Sequence, residues 1–163
     1  MAKQPMRTKT GGRIDRQQTL RFTFDGKTYE GHPGDTVASA LLANGVHLMG
    51  RSFKYHRPRG VFSAGVEEPS ALVQVHPNTP RHTPNTRATV QPLFEGLEAT
   101  SQHNWPSLRF DVGQINSVFS GLFPAGFYYK TFMWPQKLWP TYEKIIRKAA
   151  GLGESPTQPD PDE

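Results

Sequence analysis

Apolar and polar residues alternate at Leu20-Arg21-Phe22-Thr23-Phe24, the period-2 pattern of a half-buried strand. Asp25-Gly26 follows, and then the short run Lys27-Thr28-Tyr29-Glu30. A type I′ turn needs positive φ at both central residues, so Asp-Gly between two such runs predicts a β-hairpin. Pro33-Gly34-Asp35 ends the second strand, and Asp35 or Thr36 is placed to N-cap what comes next. Val37, Ala40, Leu41 and Ala43 make one apolar stripe that Asn44-Gly45 stops, which predicts a helix of roughly ten residues. Gly45 suits the position just past a helix because the left-handed conformation costs it nothing. Val46-His47-Leu48-Met49 reads as extended, and Ala71-Leu72-Val73-Gln74-Val75 and Thr86-Arg87-Ala88-Thr89-Val90 read as two further strands.

Hairpin, helix, long loop, strand and strand is the β-grasp order, an α+β fold with one helix across a small mixed sheet. Ferredoxins and ubiquitin share it, but ubiquitin-like chains lack a long loop before the third strand, and residues 50–70 are such a loop. The pattern divides the chain into an N-terminal arm (1–17), a β-grasp domain (18–92), an aromatic and helical extension (93–153) and a Pro/Asp-rich linker or tail (154–163). The extension gathers Phe94, Trp105, Phe110, Phe119, Phe123, Phe127, Tyr128, Tyr129, Phe132 and Trp134 among Pro and Gly. Such a stretch buries itself poorly alone and is expected to pack against another domain or subunit. Leu138, Trp139, Tyr142, Ile145, Ile146 and Ala149 follow a three-to-four spacing and predict an amphipathic helix, with Glu143 and Arg147 paired at i,i+4.

Composition narrows the chemistry. The chain has 163 residues, a net charge of +5, 15 Gly, 15 Pro and no cysteine. Its mean hydropathy of -0.62 points to a small core. The basic balance permits phosphate, nucleic-acid or acidic-protein partners. Absence of cysteine excludes disulfides, thiol nucleophiles and cysteine-based zinc sites. No apolar run of about 18 residues and no signal-type apolar segment occur, so a cytoplasmic location without membrane contact is expected.

The missing cysteines have a pattern. Ser63, Glu68 and Ala71 reproduce the Cys-x₄-Cys-x₂-Cys spacing of plant-type ferredoxins, with Thr89 at a later fourth position. Hydroxyls, an alanine and one carboxylate do not replace four thiolates on iron, so no Fe–S cluster is expected. His56, His76 and His82 fit no common metal spacing. Catalytic motifs are absent too: Ser63 and Ser70 lack a paired base, and Asp111, Glu95 and Glu98 read as solvated carboxylates. The sharpest candidate is the basic loop, where Arg51, Lys54, Arg57 and Arg59 interleave with Tyr55 and His56. Arginine forks bind phosphate bidentately and aromatic rings offer stacking faces. Three readings stay open: contact with a flavin or dinucleotide at a subunit interface, single-stranded nucleic-acid binding, or a structural loop whose arginines bond carbonyls and acids such as Glu67 and Glu68.

Gly12-Arg13-Ile14-Asp15-Arg16, the segment Gly34 to Gly45, the segment Gly50 to Gly60 and Tyr128-Tyr129-Lys130-Thr131-Phe132-Met133 carry a family resemblance. Together they resemble the N-terminal region of the α subunit of heterotetrameric sarcosine oxidase, from about residue 11 to 153. The resemblance implies a ferredoxin-like domain without its cluster, followed in that family by a dinucleotide-binding domain with Gly-x-Gly-x-x-Gly, a motif this chain lacks. It further implies an assembly with FAD, FMN and NAD and a flavin-carrying β subunit. That assembly oxidises sarcosine to glycine and hydrogen peroxide and passes one carbon to tetrahydrofolate. The present chain is then expected to be a truncated or split α subunit, a structural and interface domain, inactive alone and binding no cofactor by itself. The alternatives are a free-standing basic module for nucleic acid or an acidic protein, and a degenerate ferredoxin.

Overall fold

A computed structural model of the chain describes residues 4–76, 78–120, 135–150 and 156–159. β1 (Leu20–Phe24) and β2 (Lys27–Gly31) pair antiparallel, from Leu20 opposite Gly31 to Phe24 opposite Lys27. Asp25 and Gly26 both take positive φ, at 48° and 73°, as a two-residue I′ turn requires. Phe22 and Phe24 face the core while Arg21 faces solvent, so the alternation seen in the sequence is the alternation of the strand.

α1 (Val37–Ala43) packs on this sheet through Val37, Ala40 and Leu41. Thr36 is its N-cap: the Thr36 hydroxyl accepts from the Ser39 N–H at 3.2 Å, and the Thr36 N–H donates to Ser39 Oγ at 2.9 Å. This reciprocal cap satisfies two donors that a helix start leaves free. The helix spans seven residues rather than about ten, because Gly45 turns left-handed (φ 78°) immediately after Asn44.

The remaining strands are β3 (Gly50–Arg51), β4 (Pro58–Arg59), β5 (Leu72–Val75), β6 (Thr83–Arg87) and β7 (Glu98–Ser101). β3 and β4 form a separate two-stranded ladder. The main sheet runs β2-β1-β7-β5-β6, with β1 and β7 parallel and the other pairs antiparallel. Its core is Phe22, Phe24, Leu41, Met49, Val73 and Leu97, closed by the short side chains of α1.

Two expectations change. The last predicted strand moves from 86–90 to 83–87. Ala88 donates its N–H to the Ala71 carbonyl, and the Ala88 and Gln91 carbonyls then accept the N–H groups of Ala38 and Val37. Residues 88–91 thus satisfy the open donors of the α1 N-terminus instead of extending a ladder. The sheet also reaches past residue 92, since β7 is its middle strand. Beyond it, a 3₁₀ turn (Val112–Gln114) leads into α2 (Ile115–Val118), and α3 (Trp139–Ala150) carries the Glu143–Arg147 pair on an exposed face. Ile145 of α3 is also exposed. The aromatic residues from Phe123 to Trp134 lie outside the described residues.

Candidate functional site

The loop from Gly60 to Ala71 leaves β4 and enters β5, with one 3₁₀ turn (Gly65–Glu67) at its tip. Gly60 opens it because a Cβ there would overlap the His47 carbonyl oxygen. Its centre is Glu68, whose side chain is fully buried. One carboxylate oxygen accepts the N–H groups of Phe62 and Ser63 at 2.6 and 2.7 Å. The other accepts those of Ser70 and Ala71 at 2.6 and 3.0 Å. Burial works to raise the pKa of this carboxyl. The four N–H bonds outweigh it and hold the group below the usual carboxylate range. Taking a carboxylate out of water costs several kcal/mol, of order, and charge-assisted bonds from oriented backbone dipoles offset that here.

The other positions of the spacing pattern lie around the same centre. Ser63 and Ala71 supply two of the four N–H groups. The Thr89 hydroxyl donates to the Gly65 carbonyl at 2.7 Å, tying the loop tip to the segment after β6. Arg87 Nε donates to the Glu68 carbonyl at 3.2 Å. The Ser63 hydroxyl is buried without a hydrogen-bond partner. Among the described residues no group of three or more His, Asp or Glu side chains is arranged to hold a metal ion.

The basic loop is split by the fold. β3 and β4 pair Gly50 with Arg59 and Arg51 with Pro58, and the tip closes through Ser52 N–H to Arg57 O and His56 N–H to Ser52 O, both at 2.9 Å. Arg51 and His56 turn inward. The Arg51 guanidinium donates to the Leu108 carbonyl at 3.1 and 2.9 Å, to the His56 carbonyl at 3.1 Å and to Gln114 Oε1 at 3.3 Å. His56 Nδ1 lies 2.7 Å from Asp111 Oδ2, and an ionised carboxylate only accepts, so the ring donates there. The second Asp111 oxygen accepts the N–H groups of Trp105 and Gly113 at 3.0 and 3.1 Å. Arg51 Nε is 3.9 Å from Asp111, completing a buried Arg–Asp–His cluster. Gly113 is required beside it, because a Cβ would overlap the imidazole.

Lys54 and Arg57 instead place their charges 4.9 Å from the Tyr55 ring centroid, a surface cation–π stack. Arg57 and Arg59 are exposed. Between this face and the Glu68 loop lies an open cleft of about 310 Å³, lined by Arg51, Phe53, Arg59, Ser70, Leu72 and His103. Arg51 and His56 are thus committed to protein partners. Arg51 bonds backbone carbonyls, as the structural reading of this loop expects, and the acid facing Arg51 and His56 is Asp111.

The family model of the 2Fe-2S iron-sulfur cluster binding domain matches residues 17–104, more than half of the chain. The chain belongs to that family. It is also homologous to sarcosine oxidase subunit alpha: the protein of that name from Rhizobium meliloti (strain 1021) is 60% identical over 152 residues, covering 93% of this chain and 15% of the relative. The subunit alpha from Corynebacterium sp. (strain P-1) is 48% identical over 101 residues, 59% of this chain and 10% of the relative. Among solved structures, that of L-proline dehydrogenase from P. horikoshii aligns with a TM-score of 0.45 at 22% identity, over 57% of this chain and 17% of that one. The chain thus spans about one-seventh or less of the length of these curated relatives.

The residues present do not fit the cluster that gives the family its description. A [2Fe–2S] centre takes four thiolates or two thiolates and two imidazoles, and the chain has no cysteine. At the four corresponding positions stand a hydroxyl without a partner, a carboxylate engaged by four N–H groups, a methyl group and a hydroxyl bonded to a carbonyl. No helix among the described residues is long and apolar enough to cross a membrane.

Two features escaped sequence reasoning. Asp111 read as a solvated carboxylate, although it sits at the centre of the buried cluster. Its Asp-x-Gly pattern, an N-cap for the 3₁₀ turn, was the available local signal. The backbone bonds of Glu68 have no signature in residue identity, because any residue supplies an N–H.

Proposed function

We propose that this chain is a cluster-free β-grasp scaffold within a sarcosine oxidase-like alpha subunit, supplying structure and subunit contacts rather than catalysis. The observation that carries the reading is the 60% identity to a sarcosine oxidase subunit alpha over 93% of the chain. The parent complex, on this reading, is a cytoplasmic flavoenzyme that demethylates sarcosine oxidatively to glycine and hydrogen peroxide and transfers one carbon to tetrahydrofolate. Its FAD, FMN and NAD are held by the rest of the alpha subunit and by a flavin-carrying beta subunit.

Two surface features support a contact role. Trp105, Phe110 and Val118 are more than half exposed, a composition suited to interface cores. Lys54 and Arg57 set positive charge against the Tyr55 ring and Arg59 is exposed on the paired strand, which suits a flavin or dinucleotide phosphate at an interface.

The test is co-expression of the 163-residue chain with the remaining alpha region and a beta subunit. Stable co-purification, together with peroxide formation from sarcosine by the complex and none by the chain alone, is the expected result. Peroxide production by the purified chain would overturn the reading. So would recovery without any beta subunit together with salt-sensitive RNA binding.

A further inference from the structure

The Glu68 loop holds the wrong donor set for iron, yet its backbone is arranged around an anion. Two pairs of N–H groups, from 62–63 and from 70–71, converge on one fully buried carboxylate. Glu68 thereby joins the first residues of the loop to the last. Three of the five residues involved, Ser63, Glu68 and Ala71, occupy the positions that the plant-type ferredoxin spacing gives to ligands. Iron–sulfur centres in such loops are anionic, and hydrogen bonds to their sulfurs are part of how proteins tune them. A loop of this shape without an anion would leave four N–H groups facing its centre without that acceptor, at greatest cost for the buried Ala71 N–H.

We propose that Glu68 is an internal stand-in for the cluster, a tethered carboxylate that fills an anion cradle built by the loop backbone and lets residues 60–71 fold without metal. The cradle is accordingly a binding site for a small carboxylate once the tether is cut. Its recognition is by two N–H groups per oxygen, so it fits formate in size and charge. The Ser63 hydroxyl, on the residue that supplies one of these N–H groups, is buried without a partner, so its O–H is available to an acceptor there.

The experiment is amide hydrogen exchange of the full chain, read at Phe62, Ser63, Ser70 and Ala71. E68A is expected to speed exchange at these four amides roughly tenfold or more. Sodium formate is expected to restore protection saturably, while sodium chloride at equal ionic strength and formate on the unsubstituted chain do nothing. Unchanged exchange in E68A, or lost protection that formate does not recover, would overturn the proposal. Should E68A not fold, E68Q provides the same reading: its amide keeps one acceptor oxygen, so faster exchange is expected at one N–H pair and wild-type exchange at both would refute the cradle. Treatment of the unsubstituted chain with ferrous iron and sulfide is expected to leave it without a cluster. Uptake of one would equally overturn the proposal.

Discussion

Replacing Asp111 with alanine removes the acid that faces the buried Arg51 guanidinium and the His56 imidazole. Three donors lose their acceptor: His56 Nδ1 and the N–H groups of Trp105 and Gly113. The Trp105 and Gly113 segment is not deeply buried, so water can replace part of those two bonds. The His56 bond is buried, and Arg51 stays buried with only carbonyls and an amide oxygen around it. Breaking a buried ion pair by removing one partner costs about 3–5 kcal/mol. At 3.9 Å the Arg51 separation is long, so the lower end applies, about 3 kcal/mol. For a chain of this size that is a fall in melting temperature of roughly 6–12 °C. Urea unfolding followed by far-UV circular dichroism measures it. Asp111→Asn keeps one acceptor oxygen and should lie between the alanine variant and wild type. Arg57→Ala, at an exposed position six residues from Arg51, removes only the surface stack on Tyr55 and should cost no more than about 1 kcal/mol. An Asp111→Ala variant no less stable than Arg57→Ala would refute the claim that this cluster holds the basic loop inward.

Asp35 makes stability depend on acid. Burial works to raise its pKa, but the paired bonds from Arg7 at 2.8 and 2.6 Å, the Ser39 hydroxyl and the His32 N–H outweigh it and hold the carboxyl below its ordinary range. A folded-state pKa below the unfolded one contributes stability that is present above the unfolded pKa, about 4, and is lost as pH falls through the folded value. Glu68 has the same sign. Arg7→Ala should therefore move the acid-unfolding midpoint to higher pH, and circular dichroism over a pH titration checks it; an unmoved midpoint would show that the arm is not bound through Asp35. Gly34 and Gly65 both have positive φ, at 91° and 66°, but a Cβ at Gly34 would overlap the Arg13 carbonyl oxygen while Gly65 faces open space. Gly34→Ala should thus cost about 1–3 kcal/mol more than Gly65→Ala in urea unfolding, and equal losses would show that only backbone conformation matters there.

What was legible in the sequence was local. The β1–β2 hairpin follows from alternation and Asp-Gly, and the limits of α1 follow from Thr36 and Gly45. The absence of cysteine, at 63, 68, 71 and 89 as elsewhere, by itself removes the thiolates that an Fe–S cluster needs. Each of these rests on turn chemistry, capping, side-chain period or ligand identity, which act within a few residues. Tertiary structure alone decided the rest. β7, with Glu98, Thr100 and Ser101 around a single alanine, has little strand propensity and is a strand because it lies between β1 and β5. Arg51 and Lys54 are equally basic in sequence. One is buried and the other half-exposed because Leu108 and Asp111, 57 and 60 residues from Arg51, close over the first only. Glu68 is an isolated acid until the backbone curls two pairs of N–H groups onto it. Residue identity states which charges exist, whereas only the path of the chain states which donors face them, and an unpaired buried charge is too costly for that path to leave open.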